Sequence, residues 1–113
     1  MGREKTQNPK QYTLDISERY FQNLEEIVDY IAFVKHQPLN SIKIGNGINK
    51  VMNKIVHDPL IYAQCENLPT KNKIYREAAY KTWLIIFKIK NNHVTILGVL
   101  SGKRKISSFR KLK

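Results

Sequence analysis

The sequence predicts an α+β fold: an N-terminal strand, an antiparallel helical hairpin packed on a mostly antiparallel sheet of about four strands, and a basic C-terminal tail. Three observations predict it. Between Phe21 and Ile55 apolar side chains recur at three- and four-residue spacing, the period of amphipathic helices. From Lys73 to Leu100 the chain turns to runs of aromatic and branched residues with strand character. A length of 113 residues holds a single core, and 42% apolar residues with only five Gly and four Pro can fill it, which excludes disordered and low-complexity classes. We therefore expect a polar leader over 1–11, one domain over 12–106 and a basic tail over 107–113.

Tyr12, Leu14 and Ile16 alternate with Thr13 and Asp15, the period of a half-buried strand. Ser17 is placed to cap a helix whose apolar stripe is Phe21, Leu24, Ile27, Val28, Ile31 and Val34. Pro38 suits the first turn of a second helix with the stripe Ile48, Val51, Met52 and Ile55, ended by Asp58 and Pro59. Gly45 and Gly47 each cost about 1 kcal/mol relative to Ala in a helix, so a late start or a bend is expected there. Residues 58–72 read as a surface loop pinned by Leu60, Ile61 and Tyr62.

Lys73–Tyr80 is a weakly alternating strand, and Trp83–Lys90 and His93–Leu100 form a hairpin through Asn91-Asn92, residues that tolerate positive φ. That turn sets Ile89 against Val94, Phe87 against Ile96, Ile85 against Gly98 and Trp83 against Leu100, a wholly apolar face for the helices. The reverse face carries Leu84, Ile86, Leu97 and Val99. It needs a cover, either a partner peptide or the C-terminal segment folding back through Ile106, Phe109 and Leu112.

Charge is unevenly placed. Residues 1–70 carry eight basic and eight acidic side chains, whereas 71–113 carry twelve basic residues against Glu77 alone, so the whole net charge of +11 lies in the last third. Both signs normally intersperse on a neutral surface, so this bias points to an acidic or phosphate-bearing partner. Lys103, Arg104, Lys105, Arg110 and Lys111 form the expected contact surface, with Arg104 and Arg76 the specific oxygen-binding groups because the guanidinium fork is bidentate. For Arg76, pairing with a carboxylate such as Glu25 or Glu26 is an equal alternative.

Catalytic signatures are sparse. His36, His57 and His93 lack metal-ligand spacing, Cys65 is alone, and no nucleophile elbow or phosphate-cradling glycine loop occurs. No metal or cofactor is expected. No apolar run approaches 18 residues and the first residues lack an apolar secretion segment, so a cytoplasmic protein without a membrane partner is expected. Gly2 and Thr6 match the short myristoylation pattern, which chance satisfies readily.

The ordered set of elements resembles the RelE/ParE superfamily of bacterial toxins, which includes plasmid stabilisation proteins, over about residues 12–106. The carriers are Tyr12 to Ile16 with Ser17-Glu18-Arg19, Leu24-Glu25-Glu26-Ile27 and Tyr30-Ile31, Tyr75-Arg76, Trp83 to Phe87, Val94 to Leu97, and Val99 to Arg104. The resemblance implies the toxin of a type II toxin–antitoxin module, inhibited in a hetero-oligomeric complex by a cognate antitoxin, for which Leu84, Ile86, Leu97 and Val99 are the candidate contacts. It also implies one of two mechanisms. ParE-like members block DNA gyrase without chemistry; RelE-like members cut mRNA on the ribosome, for which Arg76, Arg104 and Lys73 would be the catalytic candidates here. Phe87 stands where nuclease-type members often have tyrosine and Ser101 where histidine is common, and no proton-transfer residue follows Arg104. The ParE-like reading is therefore placed first, the ribosome-dependent nuclease second. A nontoxic nucleic-acid-binding module comes third, because the strands lack paired exposed aromatics.

Overall fold

In the computed structural model, which describes residues 11–113, the chain forms β1 (Thr13–Ile16), α1 (Glu18–Asp29), α2 (Pro38–Ile55), β2 (Tyr75–Tyr80), β3 (Trp83–Lys90), β4 (His93–Ser101) and a short α3 (Ile106–Arg110). The sheet order is β1-β4-β3-β2, with β1 parallel to β4 and the other pairs antiparallel. The α+β architecture is the expected one. The leader, with Gly2 and Thr6, lies outside the described residues apart from Gln11.

Ser17 caps α1 by accepting the Tyr20 amide, and its own hydroxyl donates to the Leu97 carbonyl at 2.8 Å, tying the helix start to the middle of β4. The apolar stripe is shifted from expectation. Tyr20, omitted from it, is fully buried with its hydroxyl donating to Asn49 Oδ1 at 2.8 Å, whereas Phe21 and Val34 are exposed. The cause at the far end is a π turn over Tyr30–Val34, closed by the Lys35 amide to the Tyr30 carbonyl. A wider turn rotates the later side chains out of the stripe, and His36, at φ 57°, then reverses the chain.

α2 begins at Pro38 and runs unbroken through Gly45–Gly47, so neither a late start nor an interruption occurs. The glycines serve packing instead. A Cβ at Gly45 would lie 3.0 Å from Val28 Cγ2, and Gly47 lies against the ring of Tyr80. Close approach offsets the helix cost.

The Asn91-Asn92 turn forms, with Asn91 at φ 57°, and Ile89–Val94 and Phe87–Ile96 pair as expected. Beyond them the register changes. Leu97 is an extra residue between Ile96 and Gly98, so Ile85 faces Val99 rather than Gly98, and Trp83 faces Ser101 rather than Leu100. This bulge is held by α1, because the Val99 amide donates to Asn23 Oδ1 at 3.1 Å. Its consequence is an exchange of faces. Val99 joins Ile85, Phe87, Ile89, Val94 and Ile96 beneath the helices, while Leu100 joins Ile86 on the reverse side.

That reverse side has a second core. Phe109 and Leu112 from the C-terminal segment, with Cys65 and Leu68 from the long connection, close over Ile86 and Leu100, and Leu84 and Leu97 pack at its margin. The segment separated in the sequence as a tail is thus part of the fold, although Ile106 itself stays exposed. The connection is pinned by Tyr62, edge-on to Phe87 at 5.9 Å, and by Cys65 and Leu68; Leu60 and Ile61 point to solvent. Its Ala63–Cys65 stretch also covers the open edge of β2, through Cys65 amide to Tyr75 carbonyl and Glu77 amide to Ala63 carbonyl bonds.

Candidate functional site

β4 ends at Ser101, and a tight turn through Gly102 to Arg104 comes next, held by the Arg104 amide to the Ser101 carbonyl and the Lys103 amide to Ser101 Oγ. Ser101 therefore acts as a turn residue, accepting a backbone donor. The turn delivers Lys103, Arg104 and Lys105 to solvent, and α3 buries Phe109 while Arg110 and the capping residue Lys111 are exposed at its end.

Arg104 stands between two cavities that α1 helps to line. One, of about 480 Å³, is largely apolar, with Ile27, Tyr30, Trp83 and Val99 in its walls and Glu26 and Arg104 as its charged members. The other, of about 210 Å³, brings Arg104 together with Arg19, Gln22, Glu26, Ser108 and Lys111. Two of the five expected contact cations, Arg104 and Lys111, thus share a cleft, and Arg19 adds a third positive charge. Arg19, Gln22, Asn23 and Glu26 were absent from the sequence-based candidates. Their spacing of three, one and three residues marks a polar helix stripe beside the apolar one, a signal that could have shown them.

Arg76 and Lys73 lie elsewhere. They line a separate cavity of about 370 Å³ with Lys90, so the three residues expected for a nuclease are not assembled in one cavity. Arg76 sits opposite Phe87, four positions along the ladder from the Tyr80–Trp83 pair that borders the Arg104 side, a separation of roughly 13 Å. Its Nη1 donates to the Tyr62 carbonyl at 2.7 Å and the Leu60 carbonyl at 3.3 Å, not to Glu25 or Glu26.

The four apolar residues expected to meet an antitoxin do not share a face. Val99 is buried under the helices, Ile86 is buried under Phe109 and Leu112, and Leu84 and Leu97 are partly buried beside them. A group of exposed apolar side chains lies instead at the hairpin tip, Phe33, Val34, Leu39 and Ile42, with Leu39 82% exposed; Leu60 and Ile61 are exposed on the long connection.

His93 Nε2 lies 3.0 Å from Asp15 Oδ2 and its Nδ1 contacts the Thr13 hydroxyl, a cluster across the β1–β4 pair at the surface. No group of three or more metal-ligating side chains occurs among the described residues. Burial pushes the Cys65 thiol up to about 11 and holds the neighbouring Glu77 carboxyl above its usual range, so the acid of the last third lies at the second core rather than beside Arg104. No helix among the described residues is long and apolar enough to cross a membrane.

Solved structures of similar fold include the chromosomal ParDE toxin–antitoxin system of P. aeruginosa, at TM-score 0.62 and 16% identity over 80% of this chain and 96% of that one. The RelBE2 toxin–antitoxin complex of Mycobacterium tuberculosis stands at 0.52 and 14%, covering 83% and 94%. The DinJ-YafQ toxin–antitoxin complex of E. coli is at 0.51 and 17%, covering 81% and 93%. No curated protein matches. Residues 14–106 match the family described as the ParE toxin of type II toxin-antitoxin system, parDE, and the chain belongs to that family of toxins.

Proposed function

We propose that this chain arrests bacterial growth by binding an essential target, DNA gyrase the leading candidate, and that a cognate antitoxin neutralises it. The observation that carries the binding role is the Arg104 cleft. Arg19, Arg104 and Lys111 outnumber its carboxylate, Glu26. Such a surface holds acidic groups by charge-assisted hydrogen bonds.

One feature supports mRNA cleavage as the second reading. Glu26 lines both cavities with Arg104, which places a potential general base beside a phosphate-binding guanidinium, contributed by a helix rather than by the basic tail.

For the antitoxin, the exposed tip of the hairpin is a better surface than the sheet. Phe33, Val34, Leu39 and Ile42 would remain uncovered without a partner, and Tyr30 joins that tip to the mouth of the 480 Å³ cavity.

Expression of the chain with and without the neighbouring gene's product tests the reading. Growth arrest is expected only without it. Purified chain should inhibit gyrase supercoiling and leave ribosome-bound mRNA intact, and Arg104→Ala should relieve the inhibition without unfolding the protein. Cleavage of mRNA that is lost in Glu26→Gln would establish the second reading, and normal growth at high soluble expression would refute both.

A further inference from the structure

We propose that the cavity of about 480 Å³ between α1 and the end of the sheet binds a free amino acid with a large apolar side chain, held as its zwitterion. Arg104 takes the carboxylate, Glu26 the ammonium group, and the wall of Ile27, Tyr30, Trp83 and Val99 the side chain.

The charge of the lining selects the ligand class. Glu26 and Arg104 are its charged members, one of each sign, whereas the neighbouring cleft adds Arg19 and Lys111 to them. In the cavity Glu26 repels a bare anion and Arg104 a bare cation, so a molecule carrying both charges is attracted by both. The two side chains are not joined to each other, since the ion pair found among the described residues is His93 with Asp15.

The neutral polar groups favour the same ligand. Asn23 Oδ1 already accepts the Val99 amide at 3.1 Å, so what Asn23 has left to offer is its N–H groups. Ser101 Oγ accepts the Lys103 amide at 3.2 Å and keeps its hydroxyl proton to donate. Both add donors to the cavity that holds Arg104, which suits a carboxylate.

The fold builds this combination from two sides. Asn23, Glu26, Ile27 and Tyr30 are spaced three, one and three along α1 and so stand on one side of it. Opposite them Trp83 pairs with Ser101 across β3 and β4, a pairing that the extra residue at Leu97 creates, because a regular ladder would set Leu100 there. The bulge thus brings a hydroxyl to an otherwise apolar wall. A volume of about 480 Å³ exceeds what glycine or alanine fills, and a larger side chain gains from the apolar area it buries.

Trp83 is the single tryptophan of the chain, so its fluorescence reports occupancy. The test titrates the full chain with L-phenylalanine, glycine, N-acetyl-phenylalanine and phenylalanine amide, following that emission and the backbone amides of ¹⁵N-labelled protein. Saturable binding of phenylalanine is expected, with shifts at Asn23, Glu26, Trp83 and Arg104, and each other probe should bind about tenfold more weakly or worse. Arg104→Gln should weaken phenylalanine about tenfold and leave the amide, which has no carboxylate, unchanged. Glu26→Gln should weaken phenylalanine similarly and leave the N-acetyl form, which has no ammonium, unchanged. Both side chains are exposed, and an unaltered amide spectrum away from the cavity verifies that the variants fold. No saturable response to phenylalanine, or equal affinity for glycine, would overturn the site. Equal affinity for the N-acetyl form would overturn the amino-acid ligand in favour of the C-terminal residue of a peptide. Arg104 also borders the cationic cleft, so occupancy is measured on the chain alone, and its failure is distinct from failure of the target reading.

Discussion

Gly47 of α2 lies against the ring of Tyr80 on β2, so close that a methyl group at position 47 would collide with the ring's Cζ and its hydroxyl oxygen. This contact docks the helical hairpin on the outermost β2 strand, and it explains why a poor helix former sits in the middle of an 18-residue helix. Gly47→Ala gains about 1 kcal/mol of helix propensity but forces the ring aside, and overpacking costs about 1–3 kcal/mol. A net loss is expected in urea denaturation. In a Tyr80→Ala background the same substitution should instead stabilise the protein; a loss of equal size in both backgrounds would show that the ring is not the reason.

The second core makes the C-terminal segment integral to the fold. Phe109 is fully buried in the cluster that covers Ile86 and Leu100, together with Leu112, Cys65 and Leu68. Phe109→Ala should cost about 3–5 kcal/mol, whereas Ile106→Ser, on the exposed side of the same short helix, should stay within about 0.5 kcal/mol. Equal effects in denaturant unfolding would mean that α3 does not hold the sheet as described.

The architecture was legible because each element carries a long periodic signal: the helical stripes, the apolar hairpin strands and the Asn91-Asn92 turn. The errors arose where a tertiary contact decides the outcome. Nothing local distinguishes Leu97 as an extra residue, since the bulge depends on Asn23, 76 positions before Val99, presenting its side-chain oxygen to a backbone amide. The choice of Tyr20 over Phe21 for burial likewise rests on a distant acceptor, Asn49. At the candidate site, Arg104 and Lys111 were visible through the accumulation of positive charge. Arg19 and Glu26 were not, because a charged residue on a helix reads as solvated until the strand end that faces it is known.

Glu77 gives a pH dependence whose sign can be worked out. Desolvation by burial is the largest influence on its carboxyl and raises its pKa; the Cys65 thiol contact lowers it and the charge of Glu66 raises it again. A raised carboxyl pKa means that the fold prefers the protonated form. In the unfolded chain the group titrates near about 4.3, so between that value and the higher folded one the folded state binds more protons and stability falls as pH rises. Above the folded value the penalty is complete. Glu77→Gln removes the ionisation and keeps the shape, so it should stabilise the protein at pH 7, with the advantage shrinking toward zero below about pH 4. Urea midpoints for both proteins at the two pH values test this. A constant difference between them, or a destabilised variant at pH 7, would show that the carboxylate is paired in the fold and not penalised by burial.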